Sequence, residues 1–401
     1  MSRSHAREIA ITLTLFPNSG GGRLVQRAAR HSRDDVRCLL HQAFRPEAIS
    51  TFFSSTRTNH QPRFEPPASH FLYPAIMGFL YSQIIESGKL PYPSTSYAGQ
   101  TIVITGSNTG LGLEAARHYA RLGASKLILA VRSVDKGEAA KNDIGTTAAE
   151  GVSIEVWKVD MASYASVKAF AARVEAELDR VDIFHANAGL VRSEFAIVEG
   201  NETNITVNFI STFLLVALVL PKLKATAAQF QTRPSLVITS SGAHRHTTFP
   251  QMKEPNILDA LNDKNYANGK HWMEQYPISK LLGIFAVRSI VKEHPANTYP
   301  VTINLPSPGL CHSGLSREAT GMQKVAFTAM KWLLARSTET GSRTLVDGGV
   351  EGAKSHGHYL EDCKVAEPSE VVIENPDVQD RLWVELKAKL EDIQPGVAAN
   401  F

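Results

Sequence analysis

Cysteine is scarce in this chain: Cys38, Cys311 and Cys363 are its only three. An odd, scattered set excludes a disulfide framework and suits a reducing compartment. Charge of one sign is lacking as well. With 42 Lys and Arg against 39 Asp and Glu, the formal net charge is +3, which gives no basis for binding nucleic acid or for strong attraction to a membrane surface. No window of about eighteen uninterrupted apolar residues occurs, so no transmembrane helix is expected. Residues 71–85 come nearest to a surface-lying membrane anchor, but Pro74, Ser82 and Gln83 interrupt them. Residues 209–223 are too short to span a bilayer and read as a buried helix.

Lysine is absent from residues 1–76, where Arg, Ser, His and Gln are frequent, and the first 33 residues hold one acid, Glu8. No apolar period runs through them. They are expected to form a disordered Arg-rich extension. A mitochondrial transit peptide is the alternative, because it shares this composition. Residues 77–99 read as a lead-in, with Met77 as an alternative start. The whole chain, at 43% apolar and 20% charged, has the composition of an ordinary globular enzyme.

From Gln100 the pattern becomes regular. "TIVITG", "KLILAV", "VSIEVWKVD", "VDIFHANAG", "SLVITSSG" and "VTINLPSPG" are short runs rich in β-branched residues, read as buried strands. Between them lie helical stretches: "LGLEAARHYARLG", "DKGEAAKNDI", "SYASVKAFAARVEAELD" with Ser163 as cap, residues 201–228, and "YPISKLLGIFAVRSIVKE". Continuous apolar strands alternating with helices predict a parallel sheet covered on both faces. The fold class is α/β, a doubly wound Rossmann-type sheet, with one domain over residues 100–397 behind the N-terminal extension. Ligands of such sheets bind at the carboxyl ends of the strands. The sequons at Asn201 and Asn204 read as incidental, since nothing signals secretion.

"TGSNTGLGLEA" places Gly106, Gly110 and Gly112 between the first strand and the first helix. Backbone without Cβ that opens a helix can hold a pyrophosphate on the helix's N–H groups. Ser107, Asn108 and Leu111 belong to the same loop, and Ala115 permits close packing of helix on strand. The second strand ends at Arg132, with no acid to bind an adenosine 2′-hydroxyl. Arg suits a 2′-phosphate through charge and bidentate geometry. Lys136 is a helper, and the predicted cofactor is NADP(H).

Three Tyr-x-x-x-Lys pairs occur: Tyr164–Lys168, Tyr266–Lys270 and Tyr276–Lys280. Residues four apart on a helix share a face. The first pair opens the helix after strand three, away from the expected nicotinamide. The second spans Asn268-Gly269, a poor helix interior. The third follows strand five and its loop. Pro277 fits the first turn of that helix and disfavours a helical backbone at Tyr276, which makes Tyr276 the expected cap.

In this order the motifs resemble the short-chain dehydrogenase/reductase family over residues 100–363. "TGSNTGLG", "ANAG" at residues 186–189, Asn208 in "TVNFISTF", "ITSSG", "YPISK" and "PSPG" followed by Ser313 carry the resemblance. Within the family, "AVRS…KGEAA" and "SHGHYLEDC" resemble the retinol-dehydrogenase-like branch and its fungal members. The resemblance implies Asn208, Ser241, Tyr276 and Lys280 as catalytic residues, with Ser241 preferred over Ser240. It also implies Gly189, Pro308, Gly309 and Ser313 beside the cofactor, Asp160 on the adenine amine, and Asn187 near the adenine ribose. A homo-oligomer packed through the long helices is implied too, although residues 209–220 read equally well as core. Two departures stand out. Ala186 replaces the family's first Asn, and 35 positions separate Ser241 from Tyr276, so the insertion should shape the substrate cleft. His244 and His246 have no third ligand in view, so no metal site is expected.

The chemistry needs a proton donor matched to hydride transfer. A free phenol titrates near 10, and a neighbouring ammonium would lower that value. Tyr276 is therefore expected as general acid/base and Lys280 as its charge partner and ribose ligand. Ser241 would orient the substrate oxygen, and Asn208 would hold a water that links Lys280 to solvent. The expected activity is NADP(H)-dependent interconversion of a small-molecule ketone or aldehyde and an alcohol, in a secondary-metabolic setting. A cytoplasmic location is expected, with mitochondrial and membrane-associated ones as alternatives. A non-catalytic dinucleotide-binding sensor or scaffold is the competing reading. It predicts damage at the Ser, Tyr or Lys position, and all three are intact.

Overall fold

The structure, a computed structural model, describes residues 78–192, 194–264, 271–316, 328 and 330–401. The Arg-rich extension, Met77, the first part of the 71–85 stretch and the Tyr266–Lys270 pair lie outside these residues.

Six apolar runs form strands: β1 (Thr101–Thr105), β2 (Lys126–Val131), β3 (Ser153–Lys158), β4 (Ile183–Ala186), β5 (Ser235–Ile238) and β6 (Thr302–Ser307). Two short ones follow, β7 (Tyr359–Glu361) and β8 (Lys364–Ala366). They make one eight-stranded sheet in the order β8-β7-β6-β5-β4-β1-β2-β3. All neighbours are parallel except β7 and β8, which form an antiparallel hairpin. Its turn residues Asp362 and Cys363 have φ of +54° and +58°, the left-handed backbone that a two-residue hairpin turn requires.

The helices are α1 (Gly110–Arg121), α2 (Val134–Gly145), α3 (Tyr164–Glu177), α4 (Ser211–Phe230), α5 (His271–Glu293), α6 (Thr338–Val350) and α7 (Pro376–Ile393). Alternate strand residues feed two cores, as a pleated sheet demands. Ile102 and Ile104 of β1 pack with Ala116 and Tyr119 of α1 and Leu345 of α6, whereas Val103 belongs to the core of α3, α4, α5 and α7. Chain order reverses between β1 and β4, so the crevice at their carboxyl ends is the switch point where such sheets bind ligands.

Residues 201–228 differ from the single helix expected. Asn201 and Glu202 pair with Ile197–Val198 as a two-stranded hairpin. A helical turn (Thr203–Ile205) and a π turn (Thr206–Ile210) then lead into α4. Thr203–Phe230 is long and apolar enough to cross a membrane by composition, yet 94% of its most apolar window is buried inside the protein. Residues 209–220 are therefore core here. The sequon residues Asn201 and Asn204 are buried and hydrogen-bonded within the chain, so neither is offered for glycosylation in the folded state.

The C-terminal segment covers α5 and α4. Trp383 of α7 donates its Nε1–H to Glu293 Oε1 at 2.7 Å and meets the Phe401 ring at 4.9 Å. Lys224 of α4 donates to Asn400 O and Phe401 O at 2.8 and 2.9 Å.

Two compact units are present. The larger comprises Pro91–Pro308, Ser313–Glu318 and Thr338–Phe401 and holds the whole sheet. The described residues of the smaller are 78–90, 309–312, 328 and 330–337. Among its described residues, buried Arg336 donates to Ser82 O and Oγ at 2.8 and 2.9 Å. Gln83 Oε1 accepts from the Leu310 N–H at 3.1 Å. Ser82 and Gln83, which interrupt the apolar run in the sequence, are thus this unit's internal hydrogen-bonding groups.

Candidate active site

The loop from β1 to α1 is built without side chains because none fits. Gly106 and Gly110 hold φ of +69° and +62°, a region costly for residues with a Cβ. A Cβ on Gly112 would lie 2.6 Å from Gly106 O and 2.6 Å from Asn187 Nδ2. Helix α1 starts with no acid in its first turn and no side-chain cap from Thr109. Its leading N–H groups and the positive end of its dipole are thus directed at the loop. This donor set fits a pyrophosphate, and the residues present fit a dinucleotide. Ser107 is fully buried and donates to Ile104 O at 2.9 Å, so its hydroxyl turns into the protein and only backbone faces the loop. Asn108 and Leu111 are half-buried. Ser313 stands beside Gly110, 3.9 Å from where a Cβ there would sit.

Other predicted cofactor residues divide into two sets. Arg132 and Lys136 are exposed past the carboxyl end of β2. Asp160, past β3, accepts the Ala162 N–H on Oδ1 at 3.0 Å, so one oxygen caps its own loop. Asn187 makes its side-chain bonds within the chain. Its Nδ2 donates to Thr105 O at 2.9 Å, and its Oδ1 accepts from Thr239 Oγ1 at 3.3 Å. The amide is thus turned beneath the glycine loop, where it ties β1 to the end of β5. Thr105 completes this junction by accepting from the N–H groups of Asn187 and Ala188 at 3.0 and 2.9 Å. Neither threonine stood out in the sequence, because single threonines carry no pattern. Pro308 closes its segment of the larger unit. Gly309 belongs to the smaller unit, where it holds φ of +71° and packs against Gln83 and Arg336.

Of the Tyr–Lys pairs, Tyr164–Lys168 has separate partners. Asn201 Nδ2 donates to the Tyr164 hydroxyl at 3.2 Å, while Lys168 donates to Ile393 O at 3.3 Å. Tyr276 and Lys280, both half-buried, share a face of α5, with Lys280 Nζ 5.9 Å from the Tyr276 ring centre. The helix start is corrected: α5 begins at His271, so Pro277 is interior and Tyr276 is no cap. Proline lacks an N–H and crowds the carbonyl four residues back, but tertiary packing carries the helix through it.

The Ser241 hydroxyl lies near enough to the Tyr276 phenol to lower its pKa, and its Oγ accepts the Ala243 N–H at 3.2 Å. Ser240 Oγ is buried with no partner among the described residues, so the structure separates the two serines. Lys280 donates to Thr239 O at 2.8 Å. Asn208 lies in the π turn, and its Nδ2 donates to Leu190 O at 2.9 Å and Ser279 Oγ at 3.1 Å. Its Oδ1 accepts the Leu190 N–H at 2.9 Å. That side chain braces the backbone, so the freed carbonyls of a π turn are the better water ligands. Gly189 passes over both groups: a Cβ there would be 3.1 Å from Asn208 Oδ1 and 3.8 Å from Lys280 Nζ.

Burial governs the electrostatics. It raises the Tyr276 phenol above its ordinary range, against the lowering effect of the Ser241 hydroxyl. It also pulls the Lys280 ammonium down to about 8. The expected acidified phenol is therefore reversed in this structure, because desolvation of the phenolate outweighs the groups that favour it. His244 uses both ring nitrogens on backbone groups, Ser241 O at 2.7 Å and the Ser369 N–H at 3.0 Å.

A family model described as short chain dehydrogenase matches residues 100–252. The short chain dehydrogenase/reductase dmxR8 of Cryptosporiopsis sp. (strain 8999) is 57% identical over 330 residues, 81% of this chain and 100% of the relative. The short-chain dehydrogenase anuD of Penicillium roqueforti is 38% identical over 329 residues, 80% of this chain and 84% of the relative. Among solved structures, the Pseudomonas aeruginosa RhlG/NADP active-site complex shares the fold with a TM-score of 0.50 at 20% identity, over 67% of this chain and 97% of that one.

Gly112→Ala should raise the Kd for NADPH about tenfold or more, since overpacking typically costs about 1–3 kcal/mol. Quenching of tryptophan fluorescence on titration measures it; an unchanged Kd would show that the loop tolerates a side chain.

Proposed function

The chain belongs to the short-chain dehydrogenase/reductase family, and on that premise we propose that it is an NADP(H)-dependent oxidoreductase interconverting a ketone or aldehyde and the corresponding alcohol. One observation carries the reading: Tyr276 and Lys280 share a face of α5, with Nζ 5.9 Å from the ring centre, and the Ser241 hydroxyl from the turn after β5 lies by the phenol as a pair to it. A dinucleotide sensor has no need of such a pair.

The dinucleotide, when bound, supplies or accepts the hydride. The glycine loop and the start of α1 would hold its pyrophosphate. Arg132, helped by Lys136, would hold a 2′-phosphate, and the want of an acid after β2 supports NADP(H) over NAD(H). Lys280, Pro308 and Ser313 would hold the nicotinamide end.

Tyr276 handles the proton. Its burial-raised pKa keeps the phenol protonated through neutral pH, the form that donates to a carbonyl oxygen during reduction. Ser241 orients that oxygen and steadies the phenol. As the proton leaves, the Lys280 ammonium stabilises the phenolate, and with a pKa of about 8 it is mostly charged at pH 7. The substrate is a small molecule, in a secondary-metabolic setting. Since residues 209–220 lie in the chain's own core, a homo-oligomer would use another face.

Tyr276→Phe should lower kcat for carbonyl reduction by about a hundredfold or more while leaving the Kd for NADPH unchanged; steady-state rates on a carbonyl panel measure it, and equal rates would remove Tyr276 from the mechanism. Arg132→Ala should raise KM for NADPH about tenfold and leave KM for NADH unchanged. A parallel change for both nucleotides would remove the 2′-phosphate contact.

A further inference from the structure

His244 is fully buried three residues past Ser241, in a turn (Gly242–His246) that the sheet's far edge pins from three directions. The Gly242 N–H donates to Ser307 Oγ at 3.1 Å. Arg245 meets Glu361 Oε2 at 3.2 Å, donates to the Tyr359 hydroxyl at 3.3 Å, and reaches Glu367 O at 2.7 Å. The His244 ring stands edge-on to Tyr359, with centres 4.9 Å apart.

The ring's tautomer follows from its partners. The Ser369 N–H can only donate, so Nε2, 3.0 Å away, must be the bare nitrogen. Nδ1 then carries the proton and donates to Ser241 O at 2.7 Å. Burial pulls the His244 pKa down to about 4, so this neutral form persists through the physiological range. Ser241 is extended, at φ −159° and ψ +140°, and lies past the last paired residue of β5. Its own strand ladder therefore no longer fixes its carbonyl. The His244 N–H at 3.3 Å and the imidazole at 2.7 Å hold it instead, and the Ser241 Oγ accepts the Ala243 N–H at 3.2 Å.

We propose that His244 is a positioning residue for Ser241, a clamp that holds the serine carbonyl from the Ser369 backbone and so aims Oγ at Tyr276. This rests on Ser241 and Tyr276 as the proton-handling pair. The clamp gives the residues just past β8 a role in the site, since the far end of the imidazole is held there. It also gives the histidine pair of "GAHRH" a use other than metal binding.

A double-mutant cycle in the full chain tests it. H244A, S241A and H244A/S241A are compared by kcat for NADPH-dependent carbonyl reduction. They are also compared by ultraviolet titration of the Tyr276 phenol, each variant minus its Y276F counterpart. H244A should lower kcat about tenfold to a hundredfold, leave KM for NADPH unchanged, and raise the phenol pKa further. In the S241A background it should add neither effect. H244N, whose amide nitrogen takes the place of Nδ1, should restore most of kcat, and H244Q should not; this pair carries the comparison if the alanine variant fails to fold. An H244A effect of equal size with and without Ser241, or an H244N variant no better than H244Q, overturns the proposal. If the wild-type chain reduces no carbonyl, the reaction assigned above fails. The phenol titration still decides: a His244 effect that vanishes without Ser241 upholds the clamp, and one that persists overturns it.

Discussion

A lysine ammonium buried against a strand-end carbonyl is the constraint on which the site depends. Taking a charge out of water is costly unless partners receive it, and Lys280 is given Thr239 O at 2.8 Å. Thr239 in turn donates to Asn187, and Asn187 to Thr105 at the head of the glycine loop. Gly112 must lack a side chain because Asn187 lies directly beneath it. The nucleotide loop, the ends of three strands and the Tyr276 helix are thus one hydrogen-bonded assembly. Displacing any member disturbs the ammonium, and through it the phenol.

The same burial sets the division of labour between the two titratable groups. Desolvation opposes charge on both, so it raises the phenol and lowers the ammonium. A protonated phenol beside a charged lysine is the pair needed to give up one proton and tolerate the anion left behind. Ser241 completes it with a neighbouring hydroxyl that favours the phenolate. The long insertion after Ser241 contributes to this arrangement through His244 and Arg245, which fasten its first turn to the β7–β8 edge.

Much of this was legible in the residues. β1, β2, β4, β5 and β6 are continuous apolar runs because a strand buried on both faces needs that sequence, whereas β3, at the sheet's edge, is exposed at both ends. Strand and helix context also separated Tyr276–Lys280 from Tyr164–Lys168. β7 and β8, at three residues each, are too short to show a period, and they exist because a turn brings them to an open edge. Pro277 suggested a helix start, yet α5 runs through it because its flanking residues pack on the core. Asn187 turned inward and the phenol pKa rose instead of falling. Both depend on what surrounds a side chain, which spacing along a chain does not encode.

The pH dependence of carbonyl reduction tests the central claim most directly. Lys280 holds its proton below about 8 and loses it as pH rises through that value, so its support for the departing proton is present at lower pH and lost above. The kcat/KM for reduction should be level through neutral pH and fall as pH climbs past about 8, before Tyr276 ionises. A rate that rises through that region would mean the phenol works as an already ionised base, and would contradict the account.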